Sequence, residues 1–176
     1  MDSKLLACLE HVRKPSRYTG GEFNAVVKDK SEVDTRFAFC FPEVYEIGMS
    51  HLGSKILYGL LNSIEGVWCE RVYSPMPDME EQMRKRGMPL YALESHDAVA
   101  QFDILGFTLQ YELNYTAILN MLDMAGLPFY ASQRKSLTPL VVAGGPCVYN
   151  AEPVADFFDL IMIGEGEEVL PELVEL

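Results

Sequence analysis

The sequence predicts an α/β domain with a five-stranded parallel sheet, wound on both faces by helices and preceded by a lead-in. Three observations carry this. From residue 36 onward, short and almost wholly apolar runs alternate with segments of helical periodicity. The runs lack the alternation of polar and apolar residues that marks a sheet with one wet face, so both faces are covered. The chain has 176 residues, 49% hydrophobic and 23% charged, which suits one domain with a substantial core. Five such strands suit the doubly wound, flavodoxin/Rossmann-like order 2-1-3-4-5.

The elements follow in order. Residues 1–35 form the lead-in: Asp2 or Ser3 can cap a short helix, Lys14–Gly21 is polar and turn-rich, and Phe23–Val27 is a short strand. Residues 36–176 form the α/β domain. Arg36–Phe41 is the first strand, ended by Pro42. Met49–Asn62 is a helix with Ser50 as cap and Leu52, Ile56, Leu57, Leu60 and Leu61 at helical spacing. Val67–Tyr73 is the second strand. Asp78–Arg86 is a helix with Asp78 at the cap, Glu81 three residues on and Gly87 at its end. Asp103–Leu109 is the third strand. Asn114 caps a helix that runs to Ala125 and stops at Gly126 and Pro128. Leu140–Ala143 is the fourth strand, Pro153–Phe158 a short helix, and Leu160–Ile163 the fifth strand. A last helix starts near Glu167. The chain ends inside that helical pattern with no C-terminal cap, as expected of a fragment of a longer protein.

Composition excludes several classes of function. Acidic residues number 26 against 14 basic, for a net charge of −12, which argues against unaided binding to a nucleic-acid backbone. The excess lies in residues 89–176, where Arg134 and Lys135 are the basic residues. That half is a solvated acidic surface or faces a basic partner or further domain. No apolar run approaches the ~18–20 residues of a membrane span. Cys8, Cys40, Cys69 and Cys147 are widely spaced and form no zinc or iron–sulfur set, so a reduced, cytoplasmic protein is expected. No dinucleotide fingerprint, nucleoside-triphosphate loop or hydrolase triad is present.

In a doubly wound sheet, ligands bind beyond the carboxyl ends of the strands. Four segments meet there: Pro42–His51, Thr108–Asn114, Gly144–Asn150 and Gly164–Glu168. Gly144 and Gly145 either let a flat ligand approach the backbone or serve a tight turn. Glu165, Glu167 and Glu168 either offset a helix dipole or recognise amide or hydroxyl groups of a ligand. His51 is a capping or surface residue rather than a metal ligand, and His11 and His96 have no supporting pattern. Gln110, Tyr111, Glu112 and Asn114 offer polar groups, although Tyr111 and Tyr115 also suit packing.

These loops carry a family resemblance. The run LVVAGGPCVYNAEPVADFFDLIMIGEGEEVLPEL resembles the second half of the cobalamin-binding-like N-terminal domain of B12-type radical SAM proteins. DILGFTLQYELNYTAILNML and GMSHLGSKILYGLL resemble its earlier elements. YTGGEFNAVVKD, FPEVYEIGMSHLG, CERVYSPMPDME and LQYELNYTAILNMLDMAG are similar to a largely uncharacterised subgroup, so the resemblance covers nearly the whole chain.

The resemblance implies an accessory, cofactor-binding domain that performs no catalysis alone. It implies a radical SAM barrel downstream in the same chain, where the [4Fe-4S] cluster and S-adenosylmethionine would reside. A corrinoid (cobalamin) would bind base-off at the carboxyl edge of the sheet, lined by Thr108, Gln110, Gly144, Gly145, Pro146, Gly164, Glu165, Gly166 and Glu167. The D-x-H-x-x-G motif is absent, because Met49 precedes His51 by two positions and Ser54 follows by three. His51 is therefore not supported as a cobalt ligand. The alternative is a docking or scaffold domain that has lost the cofactor. A flavin-binding protein is disfavoured, because PEVYEIGMS replaces a phosphate loop after the first strand.

Overall fold

The computed structural model describes residues 3–176. Its strands are β1 (Thr35–Phe41), β2 (Val67–Tyr73), β3 (Ile104–Thr108), β4 (Leu140–Gly144) and β5 (Leu160–Ile161). They form one all-parallel sheet in the order β2-β1-β3-β4-β5, the expected topology. The helices are α1 (Ser3–Leu9), α2 (Tyr45–Ser50), α3 (Leu52–Ser63), α4 (Pro77–Arg86), α5 (Tyr115–Met124) and α6 (Gly166–Glu175). The two-residue period of the strands divides the core. Phe37, Phe39, Ile104 and Val142 pack with Tyr58 and Leu61 of α3 and Leu170 of α6. Ala38, Cys40, Leu105, Phe107 and Val141 face the other layer, with Met79 and Met83 of α4, Ile118 and Met121 of α5, and Leu5 and Cys8 of α1.

Several local expectations are corrected. The helix expected over Met49–Asn62 is broken at His51, which has extended backbone, and α2 begins earlier, at Tyr45. Ser50 is not the cap: its hydroxyl donates back to the Ile47 carbonyl at 2.8 Å. Met76, not Asp78, holds the N-cap of α4. Pro77, which has no N–H to satisfy, takes the first turn. Asn114 stands at the N-cap of α5 as expected, but its side chain makes no capping bond: Nδ2 donates to the Pro42 carbonyl at 2.8 Å, and Oδ1 has no partner among the described residues. The fifth strand holds two residues rather than four, and the short helix expected before it is a 3-10 helix, Glu152–Phe157. Gly87 and Gly126 end α4 and α5 in the left-handed conformation. The cap proposed at Asp2 lies outside the described residues.

Phe23–Val27 forms no strand, and the reason is local. Its backbone groups pair with side chains instead of a neighbouring strand. The Val26 amide donates to the Tyr58 hydroxyl at 2.7 Å, and the Trp68 indole N–H donates to the Val26 carbonyl at 2.9 Å. Lys28 Nζ donates to the Asn62 and Val67 carbonyls, closing the end of α3. The lead-in is thus fastened along α3 and β2.

Strand β2 is a sheet edge, yet it carries the buried charges Glu70 and Arg71. The segment after α4 covers that edge. The Leu93 amide donates to the Arg71 carbonyl at 2.9 Å, and the Glu94 carboxylate accepts the Arg71 amide at 2.8 Å. The Arg71 guanidinium bridges Glu94 at 2.5 Å and Glu22 at 2.7 Å. Arg36 pairs with Glu70 and, at 2.8 Å, with Asp97, which also meets Lys30 at 2.5 Å. His96 adopts positive φ here and bonds the Thr19 carbonyl, a structural role.

Burial works against ionisation of Asp97, but Lys30 and Arg36 outweigh it and hold its carboxyl below the ordinary range. A depressed folded pKa stabilises the fold above the unfolded value, about 3.9, and that contribution disappears as pH falls through the folded one. Asp97→Asn is therefore expected to lower stability at pH 7. The gap from wild type should narrow at pH 3 in urea unfolding; an equal gap at both pH values would contradict the assignment.

Candidate functional site

At the carboxyl edge of the sheet, between α3 and α6, lies a cavity of about 380 Å³. Its floor is Phe37, Phe39 and Gly106, and its walls are Leu57, Met162, Val169 and Leu170. A Cβ on Gly106 would lie 2.3 Å from Phe37 Cζ, so the glycine admits the Phe37 ring over β3. A Cβ on Gly166 would sit 3.1 Å from Leu57 Cδ1, so this glycine lets α6 approach α3 closely. The volume falls in the ~300–1,000 Å³ range of small-molecule sites, and an apolar interior with a few polar groups is usual for them.

The mouth carries most of the residues singled out from sequence. Thr108, Gln110, Gly144, Gly145, Pro146, Gly164, Glu165 and Gly166 all line the cavity. Glu167 is not among the lining residues and lies in the first turn of α6. The two adjacent glycines have different roles. Gly145 has φ +97°, and its Cβ would lie 3.0 Å from the Leu109 carbonyl oxygen, so the turn requires a glycine. Gly144 has no such constraint, since its Cβ would meet only Met162 Cε at 3.6 Å.

Of Pro42–His51, His51 alone reaches the cavity. It caps α3 by accepting the Ser54 amide on Nδ1 at 3.1 Å, and its ring packs 5.1 Å from that of Phe41. Tyr111 donates to Glu43, tying the segments after β1 and β3 together outside the cavity. Gln110 donates through Nε2 to the Thr108 hydroxyl. Among the described residues, Glu165 is the one carboxylate on the lining, and no lysine or arginine lies there. The surroundings therefore disfavour an anionic ligand. Among the described residues no three His, Cys, Asp or Glu side chains converge as a metal site.

The sequence did not mark the apolar interior, Ser54 or Met162, while Tyr149 lies within the expected Gly144–Asn150 segment. One signal was available: Gly106, isolated inside an apolar strand, marks a close approach. Phe37, Leu57 and Leu170 look like ordinary core positions.

Comparison with known proteins adds three findings. The family model for the N-terminal region of radical SAM proteins matches residues 53–176. An uncharacterized protein of Methanocaldococcus jannaschii is 35% identical over 141 residues, covering 78% of this chain and 26% of the relative, so the chain spans about a quarter of that protein's length. No solved structure matches.

Proposed function

Since the chain belongs to the family of radical SAM protein N-terminal domains, we propose that it is an accessory domain that holds a corrinoid at the carboxyl edge of its sheet, facing a downstream radical SAM barrel. The observation that carries this is the cavity between α3 and α6, with its apolar floor and polar, glycine-rich mouth. At about 380 Å³ it does not enclose a whole corrinoid. It would have room for a flat appendage of such a group only. Gly144 leaves room for close approach, Thr108 and Gln110 offer hydrogen bonds to peripheral amides, and Phe39, Leu57 and Val169 exclude water below. A bound corrinoid would supply cobalt-centred radical or alkyl-transfer chemistry. The [4Fe-4S] cluster and S-adenosylmethionine belong to the barrel in this reading.

The exposed apolar residues Ile47, Leu52, Leu113, Tyr149 and Ile163 follow strand ends or open the next helix, and Glu43, Glu112 and Glu165 stand in the same loops. They suit a barrel surface that is apolar with basic surroundings. Cys8, Cys40 and Cys69 are free and buried, and among the described residues no helix is long and apolar enough to cross a membrane; both accord with a cytoplasmic location. Titration with hydroxocobalamin should shift its visible spectrum, and the pigment should survive dialysis. A protein that shows no shift and dialyses colourless would leave the second reading, a docking scaffold without cofactor. That reading is favoured by the engagement of His51 in capping.

A further inference from the structure

The two ring nitrogens of His51 have different surroundings. Nδ1 accepts the Ser54 amide N–H at 3.1 Å and lies 2.9 Å from the Ser54 hydroxyl oxygen. A nitrogen that accepts an amide hydrogen carries no proton, so the ring proton resides on Nε2. Nε2 has no hydrogen-bond partner among the described residues, and His51 lines the cavity mouth. Ser54 is buried and Phe41 packs against the ring, so the orientation is fixed from both sides.

We infer that His51 is a specificity residue of the cavity: it presents an N–H donor to an acceptor atom of an uncharged ligand, such as an amide carbonyl, and does not coordinate a metal. This rests on the reading of the cavity as a ligand site. Coordination through Nε2 would move the proton to Nδ1; the Ser54 hydroxyl oxygen at 2.9 Å can accept it, but the Ser54 N–H would lose its acceptor and α3 its cap. Glu165 on the same lining, with no cation beside it, disfavours a carboxylate ligand at this donor.

Long-range ¹H–¹⁵N correlation of the His51 ring is expected to show a protonated Nε2 and a bare Nδ1; the opposite tautomer overturns the inference. In the same spectra, nicotinamide at millimolar concentration should shift Nε2–H while benzoate leaves it in place. No shift by nicotinamide, or an equal shift by benzoate, also overturns it. These measurements need no corrinoid, so they stand if the corrinoid reading fails. Where hydroxocobalamin binds, His51→Asn should keep thermal stability close to wild type, because asparagine also caps helices, and should weaken binding roughly tenfold with the cobalt spectrum unchanged. A cobalt spectrum that changes in His51→Asn would show coordination and overturn the inference.

Discussion

Arg71→Met is expected to destabilise the fold by about 3–5 kcal/mol, the usual loss when one partner of a buried ion pair is removed. The Glu94 side chain is fully buried and that of Arg71 is 11% exposed, so water cannot replace the guanidinium. Burial outweighs Arg71 and the hydrogen bonds from the Arg71 amide and Tyr58, and holds the Glu94 carboxyl above its ordinary range. Without Arg71 it rises further, and the folded state then takes up a proton that the unfolded state releases. A raised folded pKa gives stability at low pH that is lost as pH rises through the folded value. The deficit of Arg71→Met should therefore be larger at pH 8 than at pH 5 in urea unfolding. Adding Glu94→Leu should recover part of it, because the fully buried carboxylate that Arg71→Met leaves without its guanidinium is then gone. A loss under about 1 kcal/mol, or one independent of pH, would show that the edge of β2 does not depend on this pair.

That edge also shows where the sequence was legible. The limits of β2 were read residue for residue, and the sheet order was anticipated, because apolar runs bounded by turn residues determine both. The charges inside VWCERVY gave no sign of their partners, since Glu94 and Glu22 come from distant segments. Helix starts were read only in part, for the same reason. Asn114 stands at the N-cap of α5 but, like Ser50, has its side chain taken by a nearby carbonyl, whereas His51, expected to be a capping or surface residue, does cap α3. The cavity mouth was legible because glycine clusters follow strand ends. Its interior was not, because the space depends on how closely α3 and α6 approach, which Gly166 and Leu57 decide in three dimensions.

If the proposed corrinoid site is right, Gly144→Leu abolishes measurable hydroxocobalamin retention, at least about a tenfold loss, with little change in stability. The position is the last residue of β4, paired with Thr108, where ordinary extended backbone suits leucine. Its side chain would extend past Met162 Cε, 3.6 Å from the new Cβ, into the mouth. Burying apolar surface there offsets much of the cost of displacing the methionine end, which is flexible. Gly145→Ala is the necessary counterpart. It adds only a methyl group, but at φ +97° and 3.0 Å from the Leu109 carbonyl oxygen, where the backbone must move. That variant should lose stability by about 1–3 kcal/mol whether or not a ligand is present. Thermal melts and hydroxocobalamin dialysis on the pair thus separate the two reasons for adjacent glycines. If Gly144→Leu keeps wild-type retention, the cavity mouth is not where the corrinoid enters. If it unfolds as readily as Gly145→Ala, the glycine serves the strand rather than a ligand.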